Sequence, residues 1–331
     1  MKQILNSLYE YQPLSSDDAA KVLSGIIHNQ YPPAQIAAFL SIFNLRPPGL
    51  NEIEGFVKAL SSSSIPINLD DYELIDVCGT GGDGKNTFNI STLTSFVLAG
   101  AGFKVAKHGN YGSSSPVGSS NLLEFLGYRF SNDESKLKRE IETTGICYLH
   151  APLFQPALKN IAAIRRELST KSFFNILGPM INPAKPKNQL IGVMNHETAR
   201  IYQYLYQKKA VNYNIVYSLD GYDEISLTAP FKLFNKNGEQ LIYPEHIGMK
   251  QIDSKALLGG STIKESTEIF LSILKNEGSK AQQDVVIANA AFAIQTQSAE
   301  LSILEALAKA SESLESGRAY RSFVKLMQLN S

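Results

Sequence analysis

The chain has 331 residues, which suggests about two domains. Hydrophobic residues make up 44% of it, charged residues 19%, and its 31 basic residues balance its 31 acidic ones. This composition excludes a disordered polyelectrolyte and argues against a strongly basic nucleic-acid binder. The longest small-to-apolar stretch, around Ser95–Phe103, is too short for a membrane span, and the N-terminus shows no secretory signal. We therefore expect a cytoplasmic globular protein with no nucleic-acid or membrane partner.

The first 65 or so residues predict helices only. The run Ser61–Ser64, followed by Pro66, predicts a linker. We therefore predict a helical domain over residues 1–68, joined in space by helical segments near 155–185, and an α/β domain over residues 69–331. Three segments of the first domain place apolar residues at helical spacing: Ala20–Ile27, Ile36–Phe43 and Ile53–Leu60.

Beyond residue 70, short strands alternate with helices, which predicts a mostly parallel central sheet covered by helices, with ligands at the carboxyl ends of its strands. Strands are predicted at Leu74–Cys78, Val105–Ala106, Ile146–Leu149, Leu190–Met194 and Ile215–Leu219, with a hairpin over Phe231–Tyr243 that turns at Asn237–Gly238. Helices are predicted at Thr92–Gly100, Leu122–Leu126, Leu137–Ile141, Ala157–Leu168, Thr198–Tyr206, Thr267–Leu274, Asp284–Ile294 and Ile303–Leu314.

The segment Gly79–Gly84 follows the first predicted strand and has four glycines among its six residues. Such a backbone turns tightly, and its bare amide groups suit a phosphate. Lys107–Asn110 follows the second predicted strand, and Ser113–Ser115 with Ser119 precede the next helix. These groups predict an anion site at the carboxyl end of the sheet. Ser91 is either the N-cap of its helix or a ligand of an anion or metal there.

Two familiar phosphate motifs nearly fit this glycine segment. Its glycine spacing matches the dinucleotide fingerprint, but Asn86–Ile90 does not predict a helix start, and Lys107 stands where that motif needs an acid. The segment also nearly matches the P-loop motif, but Asn86 stands where that motif has the Ser or Thr that binds magnesium. Both motifs are therefore disfavoured, and a glycine-rich turn without a ligand remains the alternative.

A series of motifs runs along the chain: Gly79–Gly84, Thr87–Thr92, Lys107–Asn110, Gly118–Ser119, Leu123–Gly127, Arg165–Leu168, Phe174–Pro179, Asn182–Pro183, Gln189–Val193 and Asp223–Glu224, with a C-terminal helix at Gly317–Ala319. Taken together and in this order, the motifs resemble the anthranilate phosphoribosyltransferase family, and the resemblance covers nearly the whole chain. Four positions depart from the family pattern: Gln155 replaces a His, Tyr111 an Arg, Asn121 an Asp and Ser169 a Gly.

The resemblance implies transfer of the phosphoribosyl group of 5-phosphoribosyl 1-pyrophosphate (PRPP) to the amine of anthranilate, a step of tryptophan biosynthesis. It implies a homodimer and two Mg²⁺ ions per active site, held with Ser91, Asp223 and Glu224. Anthranilate is expected at Gly79, Asn110 and Arg165, and no catalytic acid or base is assigned. PRPP is expected at Gly79, Gly82, Asp83, Thr87, Asn89, Ile90, Ser91, Thr92, Lys107, His108, Gly109, Asn110, Ser113, Ser114, Ser115 and Ser119.

Two other functions remain possible for such a sequence. A pyrimidine-nucleoside phosphorylase is similar in fold, but the segment Arg165–Asn175 argues against it. A nucleic-acid-binding relative would have a basic surplus and a broken Asp223–Glu224 or glycine signature, and this chain has neither. On spacing alone, Asp223–Glu224 is typical of a solvated surface, and Arg165 of an ion pair on a helix surface.

Overall fold

The computed structural model describes residues 1–112, 116–169 and 172–330. The strands are β1 Leu74–Gly79, β2 Lys104–Gly109, β3 Ile146–His150, β4 Asn188–Gly192, β5 Asn212–Ser218, β6 Phe231–Asn235 and β7 Gly238–Ile242. The α-helices are α1 Lys2–Tyr9, α2 Ser16–Ile27, α3 Pro33–Leu45, α4 Leu50–Ser63, α5 Ile90–Gly100, α6 Ser119–Phe125, α7 Glu134–Thr144, α8 Ala151–Phe154, α9 Lys159–Leu168, α10 His196–Gln207, α11 Ile263–Leu274, α12 Lys280–Gln297, α13 Ile303–Glu315 and α14 Arg318–Gln328.

The chain forms two compact units, residues 1–66 with 151–183 and residues 67–150 with 184–331. The first unit is helical and contains α1–α4, α8 and α9. Its centre is an aromatic cluster of Phe39, Phe43, Phe56 and Phe173, whose ring centroids lie between 4.3 and 6.2 Å apart. Edge-to-face and stacked pairs of this kind add to the stabilisation that burial already provides.

The linker predicted at the serine run is wrong for most of that run, because α4 continues through Ser63. The buried residues Ile53, Phe56 and Leu60 hold one face of α4 against the core. The hydroxyl of Ser63 donates to the carbonyl of Leu60 at 3.0 Å, a bond within the last turn of the helix. Tertiary packing of the preceding turns therefore overrides the weak helix propensity of serine.

The second unit confirms the predicted α/β class. It contains a sheet of strand order β3-β2-β1-β4-β5-β6-β7, in which the first five strands are parallel and β6 and β7 are antiparallel. The hairpin β6–β7 is confirmed, but Asn235 pairs with Gly238, so its turn lies at Lys236 and Asn237, one residue earlier than predicted. No helix within the described ranges is both long and apolar enough to cross a membrane.

The order of the strands fixes where a ligand can bind. From β1 the chain moves outward to β2 and β3, and then returns to place β4 on the other side of β1. The connections that leave the carboxyl ends of β1 and β4 therefore diverge and leave a crevice between them. In open α/β sheets such a switch point is the usual ligand site. The glycine segment Gly79–Gly84 begins at this point, as the sequence predicts.

Candidate active site

The glycine loop, residues 79–89, leaves the end of β1 and is held at both of its ends. Near its start, the amide of Thr80 donates to the carbonyl of Gly192 at 2.9 Å. At its end, the amide of Phe88 donates to the carbonyl of Leu257 at 2.9 Å. Gly81, Gly82 and Gly84 all have positive φ (66°, 79° and 74°), a conformation that favours glycine. The loop is thus a fixed backbone cradle rather than an unconstrained turn.

Helix α5 follows the glycine loop directly, and it begins at Ile90 after Asn89. Ser91 is therefore in the first turn rather than the N-cap position, and the prediction that no helix starts at Asn86–Ile90 is wrong. Asn89 occupies the N-cap position, where asparagine is favoured, but its side chain forms no cap bond within the helix. The amide of Ser91 instead donates to Glu224 Oε1 at 2.9 Å, so a carboxylate occupies the helix N-terminus.

The acid loop, residues 219–228 after β5, passes across the carboxyl ends of β1 and β4. The Asp223 carboxylate accepts a 2.6 Å hydrogen bond from the amide of Gly81. A Cβ atom at Gly79 would lie 2.3 Å from Asp223 Oδ2, and one at Gly192 only 1.6 Å from the Asp223 carbonyl oxygen. Only glycines at these two strand ends let the acid loop approach so closely. Gly192 lies in the motif Gln189–Val193, but no pattern in the sequence predicts its contact with the acid loop.

Negative charge accumulates between the two loops. Burial, and then the charge of Asp83, raise the pKa of Asp223 to about 7. Burial and the neighbouring carboxylates of Asp223 and Asp83 also raise the pKa of Glu224 well above its ordinary range. Carboxylates held together in this way favour a bound cation.

A magnesium ion suits this set of oxygens. Among the described residues, no three His, Cys, Asp or Glu side chains are arranged to hold a metal ion. Magnesium needs no such cage, because it binds through one or two carboxylates, keeps several waters and takes substrate phosphates as further ligands. The pair Asp223 and Glu224, with Ser91 at the adjoining helix N-terminus, fits that requirement.

Lys107 lies within β2, whose pairing with β3 continues to Gly109, so the strand is longer than the predicted Val105–Ala106. Only 2% of Lys107 is exposed. Its Nζ atom donates to the carbonyl of Val77 at 2.8 Å and to Ser91 Oγ at 3.4 Å. The ammonium group thus lies beside the first turn of α5, and its charge lowers the pKa of Glu224 against the larger opposing effects.

The end of β2 continues into the segment that precedes α6. Gly109 packs closely, since a Cβ atom there would lie 2.1 Å from the hydroxyl oxygen of Tyr148. The carbonyl of Asn110 accepts from the amide of Ser120 at 3.1 Å, and Ser119 Oγ lies 2.7 Å from the Tyr148 hydroxyl. The structure therefore brings Lys107, Gly109, Asn110 and Ser119 to one edge of the sheet. Ser113, Ser114 and Ser115 lie outside the described residues.

The remaining predicted PRPP residues differ in accessibility. Thr87 forms a bridge with Leu258 that closes the end of the glycine loop. Ile90 and Thr92 are each 1% exposed, so neither presents a surface to a ligand in this structure. The amide of His108 donates to Asp76 Oδ1 at 3.3 Å, within the sheet.

Local hydrogen bonds or backbone conformation describe the surroundings of three residues that depart from the family pattern. Asn121 Oδ1 accepts from the amides of Gly112 and Gly118 at 2.9 and 3.0 Å, as an Asp carboxylate could. Ser169 ends α9 with φ of 51°, which explains why glycine is usual there. Gln155 is 2% exposed and donates to the carbonyl of Leu60 at 3.1 Å.

Arg165 lies in the helical unit, on α9. Its guanidinium carbon lies 4.9 Å from the centroid of the Phe174 ring, and Nη2 donates to Asn175 Oδ1 at 3.4 Å. Burial lowers the pKa of Arg165. Across the part of the chain that the structure describes, no carboxylate forms an ion pair with it, so the alternative of a surface ion pair is not realised.

The chain is similar to known proteins over nearly its whole length. The a/b domain of the glycosyl transferase family matches residues 71–320, and the helical bundle domain of that family matches residues 2–64. The chain is 53% identical over 330 residues to the anthranilate phosphoribosyltransferase of Flavobacterium johnsoniae, covering 100% of both chains. It is 46% identical over 330 residues to that of Bacteroides fragilis, again covering 100% of both.

Solved structures show the same fold. The anthranilate phosphoribosyltransferase of Thermus thermophilus superposes with a TM-score of 0.91 at 30% identity, over 98% of each chain. The Saccharomyces cerevisiae enzyme in complex with PRPP and Mg superposes with a TM-score of 0.89 at 24% identity, over 98% of this chain and 96% of that one. The glycine loop, the acid loop and these full-length similarities lead to one assignment: the chain belongs to the anthranilate phosphoribosyltransferase family.

Proposed function

We infer that the chain transfers the phosphoribosyl group of PRPP to the amine of anthranilate, giving N-(5-phosphoribosyl)anthranilate and pyrophosphate in tryptophan biosynthesis. The observation that best supports this reaction is the acid loop lying against the glycine loop at the switch point of the sheet. Loop amides there suit phosphate oxygens, and the two carboxylates suit the metal that accompanies a pyrophosphate.

We propose that PRPP binds along the carboxyl ends of β1 and β2. The glycine-loop residues Gly79, Gly82, Asp83 and Thr87 line the pyrophosphate, and Asn89 to Thr92 contribute the N-terminus of α5. Ser91, Asp223 and Glu224 would hold magnesium, two ions when substrate is bound, and the metal would supply positive charge to the departing pyrophosphate. Lys107 to Asn110 and the serines 113–115 and 119 hold the 5-phosphate and the ribose.

Anthranilate needs recognition more than activation. Its amine is a neutral nucleophile near pH 7, so the site requires no strong general base. Its carboxylate requires a cation, and Arg165 is half-buried without a carboxylate of its own among the described residues. We propose that Arg165 binds this carboxylate; Gly79 and Asn110 are the other residues that the family resemblance assigns to anthranilate. Stabilisation of charge on the leaving pyrophosphate then provides most of the catalysis.

We propose further that the enzyme is a cytoplasmic homodimer, with a domain boundary near residues 68 and 69. Helix α3 is apolar around most of its circumference and packs with α1. Leu45, at the end of α3, is 91% exposed, and Tyr9 and Tyr11 beside α1 are 57% and 79% exposed. Such residues favour burial against a second copy. Light scattering should give twice the mass of the 36.3 kDa chain, and the mass of one chain would contradict the dimer.

A fluorescence assay tests the function itself. Anthranilate fluorescence should fall only when the enzyme, PRPP and Mg²⁺ are all present, and chelation of the metal should stop the reaction. Thymidine or uridine with inorganic phosphate should give no free base, whereas release of base would favour a nucleoside phosphorylase. Inactivity with both substrate pairs, combined with retention on nucleic acid, would favour a binding protein that has lost catalysis.

A further inference from the structure

Lys85 and Tyr222 join the glycine loop to the acid loop through a contact that the proposed reaction does not use. The Nζ atom of Lys85 lies 4.6 Å from the centroid of the Tyr222 ring, within the range of a cation–π interaction. Tyr222 is only 7% exposed and packs in the core of the α/β unit, directly before Asp223. The ring is thus a fixed platform, and Lys85 is the movable partner.

The position of the pair gives the contact its importance. The amide of Lys85 donates to Asp83 Oδ1 at 3.0 Å, which ties Lys85 to Asp83 at the tip of the glycine loop. Earlier in the same loop, the amide of Gly81 donates to the Asp223 carboxylate at 2.6 Å. The contact between Lys85 and the Tyr222 ring therefore joins the glycine loop to the acid loop at a second point.

No ion pair involving Lys85 occurs among the described residues. Its charge lies instead over the face of the Tyr222 ring. The interaction that fixes the Lys85 side chain is therefore the cation–π contact and not a salt bridge.

We propose that Lys85 and Tyr222 form a latch that holds the glycine loop in its ligand-binding conformation before PRPP arrives. The proposal rests on the proposed function, because it takes the loop to be the pyrophosphate site. Lys85 is a positioning residue in this role. An ordered loop lowers the cost of binding, so the latch contributes to PRPP affinity rather than to the chemical step.

Four single variants and one double variant test the latch in steady-state kinetics. Lys85→Met and Tyr222→Leu should each raise the KM for PRPP by about three- to thirtyfold, with kcat at saturating PRPP changed by less than about twofold. Lys85→Arg and Tyr222→Phe keep the cation and the ring and should stay near wild type. The double variant Lys85→Met with Tyr222→Leu should be no worse than the poorer single variant, because both remove one interaction.

Lys209→Met is the matched control. Lys209 Nζ lies 4.5 Å from the Tyr206 ring centroid, a similar pair, but it precedes β5 and so lies at the amino ends of the strands. This variant should leave both KM values unchanged. Hydrogen exchange provides a second measurement without substrate: the amides of Gly81–Lys85 should exchange faster in Lys85→Met than in wild type or Lys85→Arg.

The results that would overturn the latch are distinct from failure of the proposed function. If Lys85→Met raises the KM while Tyr222→Leu does not, and loop exchange is unchanged, Lys85 contacts phosphate directly and the latch is wrong. Unchanged KM and exchange in both variants would also reject it. Should wild type fail to consume anthranilate with PRPP and Mg²⁺, the proposed function itself fails, while the exchange experiment still reports whether the latch orders the loop.

Discussion

At the acid loop, two carboxylates lie in a protected crevice, whereas on α9 a single guanidinium lies on an aromatic ring. In the first region, burial and mutual repulsion raise the pKa values of Asp223 and Glu224. In the second region, burial lowers the pKa of Arg165. Both shifts disfavour the charged form, which is the direction expected when a charge lacks a partner.

The two regions differ in the sign of their charge and in the residues that surround the charged groups. Glycine backbone surrounds the acids and leaves room for phosphates, while the rings of Phe173 and Phe174 stack at 4.6 Å beside Arg165 and form an apolar wall. The first region suits a metal and a polyanion, and the second suits a flat aromatic carboxylate. Under the proposed function, the first region binds PRPP and the second binds anthranilate.

The largest expected effect comes from neutralising the acids. The double variant Asp223→Asn with Glu224→Gln keeps the oxygen atoms that accept from Gly81 and Ser91 but removes the charges. The kcat/KM for PRPP should fall by roughly a hundredfold, equivalent to ~3 kcal/mol. Because the charge repulsion also disappears, the thermal midpoint of the ligand-free protein should rise. Normal activity at ordinary magnesium concentrations would reject the metal assignment.

The second-largest effect is expected from removing the guanidinium group of Arg165 on α9. Arg165→Ala should raise the KM for anthranilate by roughly ten- to a hundredfold, since a charge-assisted contact is worth ~1.5–3 kcal/mol. Arg165→Lys should recover only part of the loss, because an ammonium group cannot reproduce the planar fork. The exposed neighbour Arg166 provides the matched control, and Arg166→Ala should leave the KM unchanged. A fall in thermal stability with unchanged KM values would make Arg165 purely structural.

A smaller effect is expected from crowding the approach of the acid loop. Gly192→Ala would place a Cβ atom 1.6 Å from the Asp223 carbonyl oxygen, so the backbone must move. Overpacking of this kind should lower the free energy of unfolding by about 1–3 kcal/mol and reduce activity with it. Gly178→Ala is the control, since no atom lies within 4 Å of its added Cβ. Equal denaturation midpoints for the two variants would contradict the close packing.

The smallest effect concerns the end of α9. Ser169 has a left-handed backbone with φ of 51°, which costs a non-glycine residue about 1 kcal/mol. Ser169→Gly should therefore raise the free energy of unfolding by about that amount in denaturant titrations, with the anthranilate KM unchanged. A lower stability would mean that the 2.9 Å bond from Ser169 Oγ to the Arg166 carbonyl outweighs the backbone strain.

Local patterns were enough to predict much of this fold. Alternating apolar runs predicted the parallel strands, and the glycines after β1 predicted the cradle at the switch point. Helix α5 starts two residues earlier than predicted, and the contact at its N-terminus comes from Glu224 rather than from a side-chain cap at Asn89. Helix α4 extends to Ser63 because packing rather than propensity decides its end. In both helices, contacts with other parts of the chain decide where the helix begins or ends.

At the candidate site, too, local sequence predicts which residues are involved, whereas tertiary structure determines which of them are in contact. The adjacent carboxylates of Asp223 and Glu224 are candidate metal ligands from sequence. Spacing alone, however, cannot predict that Asp223 lies beside Gly81, which is 142 residues away in sequence. The fit of Gly192 to the acid loop and the contact between Lys85 and Tyr222 likewise depend on tertiary structure. Family resemblance named candidate residues at the site, and only the fold indicated how the loops constrain one another.

The most direct test of the two-receptor account compares the KM of each substrate in two variants. Arg165→Ala should raise the KM for anthranilate and leave that for PRPP within about twofold, and Lys107→Met should do the reverse. The contrast requires only steady-state fluorescence assays at saturating concentrations of the second substrate. If both variants raised both KM values equally, or if the pattern were exchanged, the assignment of the two regions to two substrates would be wrong.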